Sequence, residues 1–258
     1  MQKAEYIQVQ MEEEGIAIVT MNRAPVNAAN HQFYQELIDT FDGLGADKSV
    51  RVAILRSGLE KTFCAGNDVK DFAGMTPDNG HIRHRLVRNA FFAIYDCAVP
   101  VIAAVNSYAV GSGLGFAACC DVIVAADNAK FGAPEIKVGV LGCVKFLSRL
   151  VPEMVMRRML FSGEPATAAE LAPYGCIAKV VPPDQLMAAA MEQARIISGK
   201  APSTIRLAKE LFNRVEYMDF KAGFEIENSY SRRAAAFEDS KEAQRAFLEK
   251  RKPVFQGR

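Results

Sequence analysis

The segment from Ala109 to Asp121, AVGSGLGFAACCD, places glycines at alternate positions where an apolar, strand-like run turns into a helical one. Gly111, Gly113 and Gly115 have no Cβ, so the backbone here can approach a ligand closely and can adopt dihedral angles that other residues avoid. A strand that turns sharply into a helix also directs unpaired N–H groups at whatever lies in front of it. The turn could therefore bind an anion or stabilise a developing oxyanion, or it could be a tight packing turn.

A second strand-to-helix turn of similar character lies earlier in the chain. The strand-like run Val52–Ser57 leads to Thr62–Asp68, TFCAGND, and Val101–Val105 leads to the glycine-rich turn. If the two strands are neighbours, N–H groups of both turns can converge on one point, which is the geometry of an oxyanion hole. The glycine-rich turn does not match the dinucleotide-binding fingerprint, because Phe116 stands where the third glycine is needed.

The cysteines offer no arrangement typical of a metal site or a disulfide framework. They contain no CxxC pair and no metal-ligand spacing with the three histidines, and most have apolar neighbours that indicate reduced core residues. A nucleophilic role for Cys64 or Cys143 would lack a visible base. The sequence therefore predicts no metal site. The six cysteines are Cys64, Cys97, Cys119, Cys120, Cys143 and Cys176.

Composition argues against several classes of partner. With 258 residues and 50% hydrophobic side chains, the chain can bury a sizeable core. Lys and Arg number 31 against 30 Asp and Glu, and this near neutrality argues against nucleic-acid binding. The opening MQKAEYIQVQMEEEG lacks the basic and apolar regions of a secretory signal, and no apolar run approaches the length that spans a bilayer. We expect a soluble, cytoplasmic protein with neither nucleic acid nor membrane as partner.

Strand-like and helical runs must position these turns, and they alternate up to Val181. The strand candidates are Ile16–Met21, Val52–Ser57, Val101–Val105 and Val122–Ala125, and the helix candidates between them are His31–Gly45 and Gly80–Asp96. Beyond Val181 the pattern predicts helices only, at Gln185–Ile197, Ser203–Val215, Phe220–Ala235 and Lys241–Lys250. The pattern predicts an α/β fold with much parallel pairing, followed by a helical region.

Several separated segments carry a resemblance to a known family. They are FCAGNDVK, AVNSYAVGSGLGFAACCDVIVAADNAKFGAPEIKVG, LFSGEPATAAELAPYGCIAKVV and AFLEKRKPVFQGR. In this order and spacing they resemble the enoyl-CoA hydratase/isomerase family, also called the crotonase superfamily, over nearly the whole chain. The resemblance implies a crotonase-like spiral of repeated β-β-α units over residues 1–195, which binds acyl-CoA and carries catalysis. It also implies a C-terminal helical region over residues 196–258 that assembles homotrimers or hexamers.

The resemblance further implies a substrate and an oxyanion hole. The substrate and partner is an acyl-CoA thioester, so coenzyme A enters as part of the substrate and no cofactor is permanently bound. The implied backbone donors to the thioester oxygen are Ala65 and Ser112, with Cys64 and Gly111 beside them in the substrate-binding turns. An enolate oxygen carries charge that the ground-state carbonyl lacks, so fixed dipoles aimed at it favour the transition state selectively.

Two departures from the family pattern bear on the reaction. Hydratases of the family carry one glutamate where this chain has Gly115 and a second in the FGxPE motif, here Glu135. A glycine-rich run that commonly follows is replaced by Leu141–Phe146, LGCVKF, whose bulk should crowd out an ordered water. One carboxylate suffices to move a proton between two carbons, which favours double-bond isomerisation. A hydratase that manages with one carboxylate, a dehydratase, a decarboxylase and an inactive CoA-thioester binding protein remain open.

Coenzyme A itself has two candidate contact regions. Phe247 and Lys250 match the family segment that holds the nucleotide part of CoA, often from a neighbouring subunit, although a basic run at a helix end also suits the helix dipole. Ala24 and Val26 lie in an early loop that matches the family segment along pantetheine and adenine. Asp68 follows the first oxyanion turn, where capping of the next helix is favoured over catalysis.

Overall fold

Strands form the centre of the fold, and the longer ones agree with the strand-like runs of the sequence. The computed structural model describes residues 4–72 and 80–258. Within these residues the strands are β1 (Ile7–Glu12), β2 (Ile16–Met21), β3 (Val52–Ser57), β4 (Thr62–Cys64), β5 (Val101–Val105), β6 (Tyr108–Val110), β7 (Val122–Ala126), β8 (Lys130–Gly132), β9 (Ala166–Thr167) and β10 (Lys179–Val181). The α-helices are α1 (His31–Ala46), α2 (Gly80–Tyr95), α3 (Ser112–Cys119), α4 (Val144–Leu150), α5 (Glu153–Ser162), α6 (Ala168–Leu171), α7 (Leu186–Ser198), α8 (Pro202–Val215), α9 (Phe220–Ala235) and α10 (Glu238–Leu248).

The larger sheet has six strands in the order β1-β2-β3-β5-β7-β10. β1 runs antiparallel to β2, and the other neighbouring pairs are parallel. Every residue of β5 is buried, which is typical of a central parallel strand with a continuous apolar sequence. β3 and β5 are direct neighbours, so the two turns that follow them start from the same edge of the sheet.

A second, smaller sheet gives the fold its repeat. Its strands have the order β4-β6-β8-β9, in which β4, β6 and β8 are parallel and β9 is antiparallel to β8. β3, β5 and β7 of the larger sheet are each followed in the chain by β4, β6 and β8 of the smaller sheet, and α2 and α3 follow the first two pairs. This arrangement confirms the spiral of β-β-α units.

Helices cover the sheets through apolar faces at helical spacing. α1 begins after Asn30, whose side chain accepts a hydrogen bond from the N–H of Phe33, and such a cap satisfies an otherwise unpaired donor. Phe33, Leu37 and Phe41 of this helix are fully buried. α7 packs on β3 and β5 and buries Ala190 against the larger sheet. Both sides of the larger sheet are thus occupied by helices, which fixes the strands that carry the site.

The C-terminal helices are joined to the spiral by buried polar contacts. The expected boundary between residues 195 and 196 falls inside α7, a helix that packs on the sheet, and α8 to α10 follow it. Lys209 of α8 is buried, with its Nζ 2.7 Å from Asp121 Oδ2 and 3.1 Å from the Val99 oxygen. We therefore propose that the helical region begins at α8 and that Lys209 anchors it.

The sequence pattern missed the shorter strands and β1. β4, β6, β8 and β9 have two or three residues each, too few to show a period of two. β1 was missed although its sequence, IQVQME, alternates apolar and polar residues; it lies at the edge of its sheet with mostly exposed residues. No helix in residues 4–72 and 80–258 is long and apolar enough to cross a membrane.

Candidate active site

The two strand-to-helix turns lie against each other. β4 pairs with β6, so the turns that follow these strands leave from adjacent positions. A Cβ added to Gly66 would lie 3.2 Å from the Val110 oxygen and 3.5 Å from the Ser112 nitrogen. Gly66 and Gly111 also have φ values of 97° and 57°, in the region that favours glycine. Both glycines are therefore required for the close approach of the two turns.

Backbone hydrogen bonds determine which amides of these turns remain open. The Ala65 N–H donates to the Val26 oxygen at 3.0 Å. The Gly66 oxygen and the Asp68 N–H are both bonded to Ala29, so the Asn67 amide between them points to the opposite side. Ser112 is the first residue of α3, where an amide has no partner within the helix. Among the described residues, no acceptor is bonded to the amide of Asn67 or Ser112.

The expectation for Ala65 is corrected by this geometry. Its amide is already bonded within the protein, whereas the amide two residues later, at Asn67, points away from Ala29 and has no acceptor among the described residues. Both residues belong to the turn that the sequence predicted, but the direction of each N–H depends on the φ of 97° at Gly66, which the sequence does not show. The pair of open amides that the structure brings together is Asn67 and Ser112.

A buried tyrosine links the side chains of these two residues. Tyr34 of α1 lies with its hydroxyl 2.6 Å from Asn67 Oδ1 and 2.8 Å from Ser112 Oγ. Burial raises the pKa of Tyr34, so its hydroxyl stays protonated and donates to Asn67 Oδ1, while the Ser112 hydroxyl donates to the Tyr34 oxygen. Asn67 Oδ1 also accepts from Arg83 Nη2 at 2.8 Å. Sequence reasoning missed Tyr34, because one tyrosine on the apolar face of a helix gives no separate signal.

Glu135 lies at the point where the two turns meet. It follows β8 in a short 3-10 turn, Pro134–Val138, and a Cβ added to Gly111 would lie 2.9 Å from Glu135 Oε1. Cys143 Sγ is 3.1 Å from the same oxygen. Oε2 is buried and has no hydrogen-bond partner among the described residues. The chain thus places a carboxylate against the Gly111 backbone, and one of its two oxygens has no partner among the described residues.

Two aromatic rings occupy the space beside Gly115. A Cβ at this position would lie 2.6 Å from Phe91 Cε1 and 3.0 Å from Phe146 Cε2, and the two rings have centroids 4.5 Å apart. Of the segment 141–146, Phe146 fills the space beside Gly115. Leu141 does not contribute in this way, because it is 78% exposed. Phe91 of α2 completes the apolar wall, a contact that the helical pattern of residues 80–96 did not predict.

The two cysteines near the turns do not have the properties of nucleophiles. Cys64 is fully buried, its Sγ lies 3.0 Å from the Asn27 oxygen, and burial raises its pKa to about 12. Burial, followed by the nearby charge of Glu135, also raises the pKa of Cys143. Both side chains are therefore thiols at neutral pH, and the thiolate is the nucleophilic form.

The early loop and Asp68 support the first turn. Asp68 Oδ1 accepts from the Lys70 N–H at 3.1 Å, and Oδ2 lies 2.9 Å from Arg23 Nη2. The hydrogen bond from Lys70, which has the largest effect, and the ion pair with Arg23 hold the pKa of Asp68 below its usual range. Ala24 lies between Arg23 and Val26, whose oxygen receives the Ala65 amide. Asp68 thus has the capping contact that its position predicted, together with an ion pair.

Phe247 lies in the last turn of α10, and Lys250 follows the end of that helix. This helix packs on α8 and α9, and the side chain of Phe247 is 83% exposed. No hydrogen bond or ion pair between described residues joins either side chain to the Gly111–Ser112 turn.

Comparison with known proteins agrees with this geometry. Residues 11–258 match the family model for enoyl-CoA hydratase/isomerase. A (7aS)-7a-methyl-1,5-dioxo-2,3,5,6,7,7a-hexahydro-1H-indene-carboxyl-CoA hydrolase of Mycobacterium tuberculosis is 40% identical over 220 residues, which cover 85% of this chain and 89% of that protein. A short-chain-enoyl-CoA hydratase of Clostridium acetobutylicum is 34% identical over 247 residues, covering 94% and 95%. The crystal structure of enoyl-CoA hydratase from Bacillus anthracis superposes with a TM-score of 0.93 at 29% identity, covering 98% of this chain and 100% of the other. The chain therefore belongs to the enoyl-CoA hydratase/isomerase family, the crotonase superfamily.

Proposed function

We propose that this acyl-CoA enzyme forms a thioester enolate between the amides of Asn67 and Ser112 and shifts an enoyl-CoA double bond, with Glu135 as the proton carrier. The observation that carries the proposal is the position of Glu135. Its Oε1 lies against the Gly111 backbone and its Oε2 has no partner among the described residues. The place of a second carboxylate beside Gly115 is taken by Phe91 and Phe146.

The proposed reaction needs one base that acts twice. Glu135 removes a proton from C2 of a 3-enoyl thioester, and the electron pair moves toward the thioester oxygen, where two N–H dipoles stabilise the dienolate. The protonated Glu135 then returns the same proton to C4, and the double bond comes to lie between C2 and C3. The apolar wall of Phe91 and Phe146 keeps water from adding to this product.

Assays with purified protein separate this reaction from the alternatives. We expect turnover of 3-enoyl-CoA thioesters to the 2-enoyl isomers and little hydration of crotonyl-CoA. Full-rate hydration without isomerisation would overturn the proposal and favour a hydratase or a dehydratase. Exchange of the C2 protons of a saturated acyl-CoA with deuterium tests enolate formation alone. Tight binding without exchange or turnover would favour an inactive CoA-thioester binding protein.

Hydrolysis of a cyclic acyl-CoA is a second candidate function. It is favoured by the names of two relatives, the indene-carboxyl-CoA hydrolases of Mycobacterium tuberculosis and Rhodococcus jostii, which are 40% and 37% identical to this chain. With a bicyclic dioxo acyl-CoA, cleavage of a ring carbon–carbon bond by water would give one product heavier by one water, whereas cleavage of the thioester by water would give the free acid and coenzyme A. An unchanged mass, with isomerase activity intact, would exclude it.

Replacing Tyr34 with Phe should lower kcat for the proposed reaction by about tenfold to about 100-fold, which is less than the loss of about 100-fold to about 1,000-fold on removal of an oxyanion donor, because both amides remain. The change removes the hydroxyl that links Asn67 Oδ1 to Ser112 Oγ but keeps the ring that packs against Phe116. Tyr95→Phe is the matched control, because the Tyr95 hydroxyl bonds Glu216 and should affect kcat little. An unchanged kcat in Tyr34→Phe would show that the link does not position the amides.

We expect a homotrimer or a hexamer built through the C-terminal helices. In one copy of the chain, Phe212, Phe220 and Phe247 expose 67%, 86% and 83% of their surface, and such apolar exposure is typical of an interface. Assembly could bring Phe247 and Lys250 of one copy to the CoA site of another. Light scattering at micromolar concentration should give three or six times the mass of the chain, and a monomer would contradict the prediction.

A cytoplasmic location remains a prediction from the sequence.

A further inference from the structure

Cys143 has a backbone conformation that is unusual for its residue type. Its φ is 63° and its ψ is −1°, in the left-handed region that glycine adopts at little cost and other residues avoid. The residue precedes α4, yet its side chain makes no capping hydrogen bond to that helix. Strain of this kind persists where the surrounding structure imposes it, often at functional sites.

The side chain of Cys143 is directed at the catalytic carboxylate. Its Sγ lies 3.1 Å from Glu135 Oε1 and 3.4 Å from the Gly111 oxygen. Because burial and the charge of Glu135 keep this side chain a protonated thiol, it has one hydrogen to donate, and the shorter contact is to the carboxylate. Charged acceptors form the stronger hydrogen bonds.

The two oxygens of Glu135 consequently differ. Oε1 is bonded to the thiol, whereas Oε2 is buried without a partner among the described residues. A general base must present a free lone pair to the proton that it removes. The free oxygen is Oε2.

We propose that Cys143 is a positioning residue, which donates its thiol hydrogen to Glu135 Oε1 and thereby leaves Oε2 to take up and return the substrate proton. The inference rests on the proposed role of Glu135 as the proton carrier. It also accounts for a non-glycine residue at a left-handed position, since glycine would remove the strain and the donor together.

Three substitutions separate the thiol from the backbone strain. Cys143→Ala and Cys143→Gly both remove the donor but differ in strain, and Cys143→Ser keeps a donor of similar size. We expect the Cys143→Ala and Cys143→Gly variants to have a kcat lower by about tenfold or more than that of the wild type, with KM little changed. Ser should retain kcat to within about threefold, since it still donates to a carboxylate. The melting temperature of Cys143→Gly should be a few degrees higher than that of Cys143→Ala, because glycine relieves the backbone strain.

A purely structural role would give a different pattern. In that case kcat would follow the melting temperature. Cys143→Gly would then be more active than Cys143→Ala, and the kcat of Cys143→Ser would be no higher than its melting temperature predicts. Either result would overturn the inference. The comparison does not depend on the wild-type level of stability, because Ala and Gly are judged against each other.

Infrared spectroscopy tests the hydrogen bond without substrate. The wild-type spectrum minus that of Cys143→Ala isolates the S–H stretching band of this thiol from those of the other cysteines. Glu135→Gln should shift the band to higher frequency, because a neutral amide oxygen is a weaker acceptor than a carboxylate. An unshifted band would refute this inference alone, whereas wild-type protein without turnover or C2 proton exchange would refute the proposed function.

Discussion

Glu135→Gln should lower isomerase turnover by about 100-fold to about 10,000-fold, the range for loss of a general acid–base. The amide keeps the size of the side chain and can still accept a hydrogen bond from Cys143, so the fold and the binding of CoA should be preserved. It cannot take up the C2 proton. Steady-state kinetics with a 3-enoyl-CoA, together with the thermal midpoint, measure both expectations.

Glu164→Gln is the matched control for this substitution. Glu164 is exposed and pairs with Lys137 of the same 3-10 turn that carries Glu135, at 2.7 Å. Exposed ion pairs contribute little to stability, so turnover and midpoint should stay near wild type. If Glu135→Gln were as active as Glu164→Gln, Glu135 would not be the proton carrier and the mechanism would have to be abandoned.

Gly115→Glu should destabilise the protein and give almost no hydration of crotonyl-CoA. The new Cβ alone would lie 2.6 Å from Phe91 Cε1, and such overpacking typically costs about 1–3 kcal/mol. The added carboxylate would be forced into an apolar wall without an ordered water between it and Glu135, and like charges there would oppose ionisation. Denaturant unfolding and a hydration assay measure the two effects.

Two control variants show which part of the change matters. Gly43→Ala introduces the same Cβ in α1, where nothing lies within 4 Å, and should not destabilise the protein. Gly115→Ala tests the contact with the rings without the charge. Hydration should appear only when Gly115→Glu is combined with Phe146→Gly or with a glycine-rich replacement of residues 142–146. A large gain from the single Glu substitution would show that the missing carboxylate was the only barrier.

Features that depend on local pattern could be predicted closely from the sequence. β2, β3 and β5 have the predicted bounds, and α1 and α2 differ from the prediction by one residue at their ends. Five or more residues are enough to show a period, and apolar faces at helical spacing are hard to misread. The separated motifs also identified the family and with it the acyl-CoA substrate class.

The directions of backbone N–H groups and the contacts between distant residues could not be predicted from local sequence patterns. The open amide at Asn67, in place of Ala65, follows from the φ of Gly66 and from the Val26 oxygen, which belongs to another loop. The Tyr34 link joins α1 to residues 33 and 78 positions away.

The sequence by itself therefore determined the family, the alternation of strands and helices, and the presence of one carboxylate in the FGxPE motif, because each is encoded by residues close together in the chain. Only the tertiary structure decided which N–H groups are open, which rings fill the space beside Gly115, and that Cys143 faces Glu135. Those properties arise around α3, which contacts β4, β6, α2 and α4, and contacts between distant segments leave no periodic trace in the sequence.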